Sequence, residues 1–244
     1  MNEPITTLTF FRFSTLPYRI WAFGQMQFAH AHFRQIPGLR FYKLMGSGRK
    51  QGFNPFPDWG VYAMLAVWEN EEAANHFFAH APIFQRYQKH SSEQWTLYLH
   101  PVKAKGLWSG QNPFEPAQEP MADNPLLAVI TRATIRKRQL INFWRYVPVS
   151  ERPVAASSGL LFTKGIGEAP LLQMATFSLW ENEASLHQFA YQSSEHREAI
   201  QRTRKLNWYK EEMFVRFQPY RSIGTWAGRN PLEGRLPLSG DFAQ

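Results

Sequence analysis

Residues 66–71, with the sequence AVWENE, and residues 178–183, with the sequence SLWENE, decide the fold, because the same signal occurs twice. In each copy a short apolar run ends in tryptophan and is followed by Glu-Asn-Glu. Each copy then leads into a helical pattern, which carries Phe77 and Phe78 in the first half and Phe189 in the second. A signal that returns after about half the chain indicates two copies of one structural unit.

The segments on both sides of this signal also recur, and they do so in the same order. Upstream, residues 41–46 (FYKLMG) correspond to residues 162–167 (FTKGIG). Downstream, residues 106–113 (GLWSGQNP) correspond to residues 224–231 (GTWAGRNP). The duplication therefore covers most of each half.

Hydrophobic periodicity and Gly/Pro punctuation predict strand, helix, strand, strand, helix and strand in each half. The predicted elements are 6–13, 18–31, 39–46, 59–68, 71–87 and 93–102 in the first half, and 126–133, 137–146, 160–166, 171–180, 183–204 and 211–218 in the second. This order is that of the ferredoxin-like α+β unit. We predict tandem units, 1–113 and 126–231, which pair as an intrachain dimeric α+β barrel enclosing a cavity. Residues 114–125 would be the linker and 232–244 an irregular tail.

Composition narrows the function classes. The 244 residues are 44% hydrophobic and 19% charged, and they contain neither a stretch able to cross a bilayer nor a secretory signal, so we expect a soluble cytoplasmic protein. The absence of cysteine excludes disulfides, thiolate-ligated haem and cysteine nucleophiles. A net charge of +8 is compatible with nucleic acid, an anionic membrane surface or an acidic partner protein. The aromatic content of 16% fits either a large apolar cavity or an extensive sheet-on-helix core.

Among candidate catalytic or metal-binding groups, histidines stand out, because no hydrolase motif is present. His76 and His80 are spaced to face one metal ion from a helix, but no obvious third ligand accompanies them. His196 lies in the long second helix predicted for the second half, in a sequence that the first half does not reproduce. A neutral imidazole beside a cavity is a competent axial ligand for haem iron. The alternative interpretation is an exposed histidine on a helix.

Several segments resemble spheroidene monooxygenases of acyclic carotenoid biosynthesis. In the first half they are 11–13 (FRF), 24–26 (GQM), 46–48 (GSG) and 66–68 (AVW), with Trp21, Lys43, Gly52, Phe53 and Pro55. In the second half they are 131–134 (TRAT), 164–168 (KGIGE), 176–178 (TFS), 198–200 (EAI), 211–212 (EE), 216–217 (RF) and 224–226 (GTW), with Pro170, Trp180, His196 and Gly228. The resemblance extends from about Leu8 to Pro231.

This resemblance implies a haem-dependent monooxygenase that uses O₂ and electrons from a reduced ferredoxin to oxidise C2 of spheroidene, or of a related acyclic carotenoid, to a ketone. We assign His196 as the iron ligand. Arg132 and Arg216 would neutralise the haem propionates, unless they are ordinary surface charges. Phe177 and Trp180 would line the haem or polyene pocket, unless they belong to the core of the sheet. Because a carotenoid is dissolved in membrane, we also expect peripheral contact with the cytoplasmic membrane face.

Three other functions stay open at this point. The first is a related haem enzyme of the same barrel type that acts on another hydrophobic molecule or degrades haem. The second is a non-catalytic carrier of haem or of a lipophile. The third, a nucleic-acid-binding module, is disfavoured because paired units would bury the sheet faces that such modules expose.

Overall fold

The structure is a computed structural model that describes residues 3–49, 56–114, 118–145, 157–192, 206 and 208–236. The first half contains strands β1 Ile5–Arg12, β2 Leu39–Gly48, β3 Pro57–Trp68 and β4 Glu93–Gly106. Its helices are α1 Leu16–Phe28, the single turn α2 His30–Phe33, α3 Glu71–His80 and α4 Pro82–His90.

The second half repeats this order of elements. Its strands are β5 Leu127–Ile135, β6 Leu160–Ala169, β7 Gln173–Trp180 and β8 Tyr209–Gly224. A 3₁₀ turn, Lys137–Gln139, leads into a short helix α5 (residues 140–145), and α6 spans Glu183–Gln192. The helix predicted over 183–204 is described as far as Gln192, and the rest of that prediction lies outside the described residues.

The eight strands form one closed antiparallel barrel in the order β1-β3-β2-β6-β7-β5-β8-β4. Within each half the order of the four strands is that of a ferredoxin-like sheet. The halves join edge to edge, where β2 pairs with β6 around Gly46 and Gly167 and β4 pairs with β8 along most of their length. Closure removes the free edges that each four-stranded sheet would expose. The predicted fold of tandem ferredoxin-like units in a dimeric α+β barrel is confirmed.

The helices lie outside the barrel. In the first half they bury aromatic side chains of the outer sheet face, such as Phe11 and Trp68, against Phe33, Phe77 and Phe84. None of the helices in the described part of the chain is long and apolar enough to cross a membrane.

The single helix predicted over residues 71–87 is two helices in the structure. Ala81 adopts an extended conformation between α3 and α4, with φ −69° and ψ 121°. Pro82 follows it and lacks the N–H that would continue α3, so the residue before it is driven out of the helical region. The prediction of one continuous helix was wrong for this reason.

The barrel interior is filled by its own side chains. Leu8, Phe10, Trp95, Leu97 and Phe177 are all completely buried in it. Phe10 stacks on Trp95 with ring centroids 5.8 Å apart and meets the edge of Phe162 at 5.2 Å. An eight-stranded barrel is just wide enough for side chains to fill. The chamber that we expected between the paired faces is therefore occupied by aromatic and aliphatic residues.

Candidate functional site

The two outer faces of the barrel wall can be compared position by position. Trp68 pairs with Ile5 across β3 and β1, as Trp180 pairs with Leu127 across β7 and β5. The registers of the remaining strands follow from this correspondence. Met64 and Thr176 are then equivalent, and each is the cross-strand neighbour of a threonine, Thr9 in the first half and Thr131 in the second.

The outer face of the first half carries bulky side chains where the second half carries small ones. The equivalent pairs are Phe11 and Ala133, Leu44 and Gly165, and Met64 and Thr176. In the first half these side chains pack tightly under α1, α3 and α4. The second half therefore has more space between its sheet and the elements that cover it.

This difference leaves the middle of the second sheet accessible. Thr9 is fully buried, whereas Thr131 is exposed. Nearby, two side-chain atoms are buried without a hydrogen-bond partner among the described residues, Thr176 Oγ1 and Arg216 Nε. Buried polar atoms without partners are uncommon in folded proteins, and they mark places where a ligand or water would complete the bonding.

Helix α6 borders this area. Arg216 Nη1 donates to Glu183 Oε1 at 2.6 Å, which ties β8 to the first turn of the helix. A shallow depression, open to solvent, is lined by the exposed residues Glu183, Ala184, His187 and Gln188 along one side of α6. The rim of the second outer face thus combines a cation and an exposed imidazole.

A second polar cluster lies at one end of the barrel interior, around Arg132. Its side chain is 2% exposed, and its guanidinium contacts Glu211 and, at 3.5 Å, Glu168. Lys43 Nζ lies 2.6 Å from Glu168 Oε2, and Trp108 Nε1 donates to Glu168 Oε1 at 2.6 Å. The two cations and two carboxylates of this cluster balance in charge, as buried charges require.

The turn after β4 holds Glu211 in its ionised form. Burial by itself would raise the pKa of Glu211, but N–H groups of Gly110 and Ser109 and the guanidinium of Arg132 lower it below its usual range. At the opposite end of the barrel, Arg12 pairs with Glu93 at 3.0 Å, and the Gly228 N–H donates to the same carboxylate. The turn after β4 thus binds the carboxylate of Glu211, and the turn after β8 binds the carboxylate of Glu93. The two ends of the barrel are closed in the same way.

The residues predicted as site residues are divided between the two faces of the barrel wall. Arg132 and Phe177 point into the interior, where Phe177 is completely buried. Arg216 and Trp180 lie on the outer face, where Trp180 stacks on Phe189 of α6 with ring centroids 5.3 Å apart. The wall separates the first two from the last two, so one ligand would not contact both arginines. His196 lies outside the described residues.

Thr131, Thr176 and His187 were not predicted from the sequence. The contrast between Met64 and Thr176 could have been found by aligning the two halves strand by strand from Trp68 and Trp180. His76 and His80 do lie side by side, with ring centroids 4.8 Å apart, but both are exposed. No cluster of three metal-ligating side chains occurs among the residues that the structure describes.

Known proteins resemble the chain in sequence and in fold. It is 39% identical to the spheroidene monooxygenase of Cereibacter sphaeroides over 227 residues, which are 93% of the chain and 70% of that protein. It is 37% identical to the spheroidene monooxygenase of Rhodobacter capsulatus over 235 residues, which are 96% of the chain and 97% of that protein. A scan against models of protein families finds no match.

Among solved structures, an aldoxime dehydratase in complex with butyraldoxime superimposes with a TM-score of 0.58 at 10% identity, over 88% of this chain and 79% of that one. At this identity the likeness concerns the fold alone. The sequence relatives are stronger evidence, because they are identical to the chain at over a third of the aligned positions, which cover nearly the whole chain. It is an oxygenase, and it belongs to the spheroidene monooxygenase family.

Proposed function

We propose that the chain is a haem-dependent monooxygenase that oxidises C2 of spheroidene, or of a related acyclic carotenoid, to a ketone. Two successive hydroxylations at one methylene carbon give a geminal diol, which loses water to form the ketone. Each hydroxylation consumes one O₂ and two electrons and releases one water, and reduced ferredoxin is the proposed donor. The names of the relatives support the substrate, and the resemblance of the sequence motifs supports the chemistry.

The main support for the cofactor assignment is that Thr131 is exposed in the middle of the second sheet. Its equivalent in the first sheet, Thr9, is fully buried. A duplicated unit whose copies differ in this way has room for a ligand in one copy. The buried and unpaired Thr176 Oγ1 and Arg216 Nε lie on the same face. A planar apolar group with charged edges fits this combination of small side chains, an aromatic border and a cation.

The residues that would hold haem belong to the second half. His196 is the residue that would bind the haem iron. Arg216, whose side chain is 27% exposed, would meet a propionate at the rim, in exchange for its exposed partner Glu183. Phe189, which stacks on the buried Trp180, would form part of the apolar wall. Bound haem supplies the activation of O₂, and the protein supplies the ligand, the exclusion of water and the position of the substrate.

Arg132 and Phe177 have a different part in this proposal. Because they lie inside the barrel wall, they would support the sheet that carries the site and would not contact the cofactor. Arg132 is held by two carboxylates, so its charge is already compensated. The sequence predicted that both arginines would neutralise haem propionates. We now propose this role for Arg216 alone.

A second imidazole competes for the role of iron ligand. His187 lines the depression beside α6, one turn from Glu183. Absorption spectra of the purified protein with added haem separate the candidates. We expect His196→Ala to lose the Soret band of the bound haem and His187→Ala to keep it. The reverse result would move the ligand to His187. His76→Ala, an exposed histidine in the first half, is the control and should leave the spectrum unchanged.

A carrier of haem or of a lipophile would pass the spectroscopic test without being an enzyme. Turnover decides between them. The reconstituted protein, supplied with a reduced ferredoxin, O₂ and detergent-dispersed spheroidene, should form a product with an added oxygen atom that carries ¹⁸O from labelled O₂. A normal haem spectrum with no labelled product would favour the carrier.

A further inference from the structure

We propose that the outward face of α1, together with Trp59 at the start of β3, docks the protein on an anionic lipid bilayer. This inference goes beyond the proposed function, because it involves the half of the barrel that does not carry the proposed cofactor site. It names the surface by which a protein with a hydrophobic substrate would reach the membrane.

Helix α1 is apolar on the side that faces away from the barrel. Leu16, Ile20 and Phe23 are 69%, 63% and 57% exposed. Their spacing of four and three residues places them in one stripe along the helix. A helix that packs on a globular protein usually turns charged or polar residues toward water. Here the water-facing stripe consists of large aliphatic and aromatic side chains.

The side of α1 that faces the barrel is already packed against it. The exposed stripe is therefore not the face by which the helix contacts the core. Ala22 is buried, and Trp21 stacks on His90 with ring centroids 4.3 Å apart. Arg19 Nε donates to the carbonyl oxygen of Phe13 at 3.0 Å and fixes the helix to the barrel rim. The helix is therefore held in place while its outer stripe stays accessible.

Trp59 extends the stripe onto the barrel. Its ring meets the edge of the Phe23 ring at a centroid distance of 5.3 Å, and it is 48% exposed. An indole beside aliphatic side chains is a typical anchor at a membrane interface, because its ring is apolar and its N–H can bond to the headgroup region. We call Leu16, Ile20, Phe23 and Trp59 the docking patch.

The charge of the surrounding chain complements an anionic surface. Residues 4–57, which include all of α1, contain no Asp or Glu and seven cations, namely Arg12, Arg19, Arg34, Arg40, Lys43, Arg49 and Lys50. The rest of the chain has twenty Lys and Arg and nineteen Asp and Glu, so it is nearly neutral. Arg12 and Lys43 pair with Glu93 and Glu168 of other strands. Most of the net charge of +8 still belongs to the segment that contains α1.

This combination fits a bilayer better than an acidic partner protein or a nucleic acid. A nucleic acid would be met by cations and polar groups rather than by a stripe of Leu, Ile and Phe. Interfacial helices combine an apolar stripe with cations for anionic headgroups, and their binding grows with the apolar area that they insert. The docking patch supplies the apolar stripe and the segment around it supplies the cations, while Asp58, the acid next to Trp59, pairs with Lys164 at 3.1 Å.

Vesicle flotation of the full chain tests the proposal. We expect the protein to float with vesicles of phosphatidylcholine and phosphatidylglycerol at low salt, and to bind pure phosphatidylcholine vesicles more weakly. The double variant Ile20→Glu/Phe23→Glu should bind the mixed vesicles at least about tenfold more weakly, because both side chains would lose their apolar insertion. Both positions are exposed, so circular dichroism should show an intact fold.

The matched control is Ile141→Glu, in α5 of the second half, where Ile141 is 68% exposed. It should retain vesicle binding. Equal binding by the wild type and the double variant would overturn the proposal, as would equal loss in the double variant and in Ile141→Glu. Salt-sensitive binding of an acidic ferredoxin without any vesicle binding would assign the patch to a protein partner instead and would also overturn it. Turnover of detergent-dispersed carotenoid is measured in parallel, because a failure of the proposed function would abolish it in every variant.

Discussion

Thr9 and Thr131 occupy equivalent positions in the first strands of the two halves, yet Thr9 is fully buried and Thr131 is exposed. Both lie on the outer face of the barrel, and their cross-strand neighbours are Met64 and Thr176. The same backbone thus supports a packed layer in one half and an accessible sheet in the other. The difference arises from the volume of a few side chains and not from a change of topology.

Exchanging the side chains of Met64 and Thr176 between the halves tests whether the space over the second sheet binds a ligand. Thr176→Met gives the second half the residue that fills the first, and we expect it to weaken haem uptake by about tenfold or more, since the methionine occupies space proposed for the ligand. Stability should hold or increase, because more apolar surface is buried. Haem titration followed by absorption, with urea unfolding of the apoprotein, measures both effects.

The mirror variant, Met64→Thr, is the matched control for this exchange. Met64 is 1% exposed, so its replacement leaves a cavity, and we expect a loss of about 2–4 kcal/mol in the free energy of unfolding. Haem affinity should stay as in the wild type. If Thr176→Met binds haem normally, the ligand does not occupy the outer face of the second sheet.

Much of the fold could be predicted from the sequence because the two halves support each other. Strand and helix patterns that are ambiguous once become firm when they recur in the same order around Trp68 and Trp180. Over the described residues, most predicted boundaries agree with the observed ones to within a few residues. The exceptions are the break at Ala81 and strand β8, which was predicted to end at Gln218 and ends at Gly224. The break is caused by Pro82, a local signal that the prediction from hydrophobic periodicity did not take into account.

The site was harder to predict, because a strand residue can face either side of the sheet until its register is known. Arg132 and Arg216 both looked like cations available to a ligand, but one points into the barrel and the other out of it. By register, Arg132 stands where the first half has Phe10. Its two carboxylate partners come from β6 and β8. Partners this distant in sequence are visible only in the folded chain.

The rim position of Arg216 gives a prediction about its charge. Arg216→Ala should weaken haem binding by about tenfold, because a propionate would lose its charged partner, while Arg216→Lys should recover part of the loss. Glu183→Gln is the control for the ion pair itself. Since Glu183 is 72% exposed, that change should alter the free energy of unfolding by less than about 1 kcal/mol. Equal haem affinity in Arg216→Ala and the wild type would place the propionates elsewhere.

The two glycines that end β4 and β8 should be equally intolerant of a side chain. Gly106 and Gly224 have φ of +100° and +86°, and a Cβ on either would lie 2.2 Å from a carbonyl oxygen of the neighbouring strand. We expect Gly106→Ala and Gly224→Ala each to lower the free energy of unfolding by more than about 2 kcal/mol. Gly110→Ala is the control, because a Cβ there meets no atom within 4 Å, and it should cost only about 1 kcal/mol for its positive φ. Thermal and urea unfolding measure these differences, and similar losses at Gly106 and Gly110 would contradict the steric explanation.

Glu211 should make the stability of the barrel depend on pH in the acid range. Its pKa in the folded protein is lowered, so its ionised form stabilises the fold above the pKa of the unfolded chain, which is about 4.3, and this contribution is lost as the pH falls through the folded pKa. Glu211→Gln should therefore cost about 3 kcal/mol at pH 7, because buried Arg132 keeps only Glu168, and the gap to the wild type should shrink below about pH 4. Urea unfolding from pH 7 to pH 3 measures the gap.

Glu212→Gln, at an exposed neighbouring position, is the control and should change little at any pH. A gap for Glu211→Gln that stays constant over this range would mean that the carboxylate acts through its shape and hydrogen bonds and not through its charge.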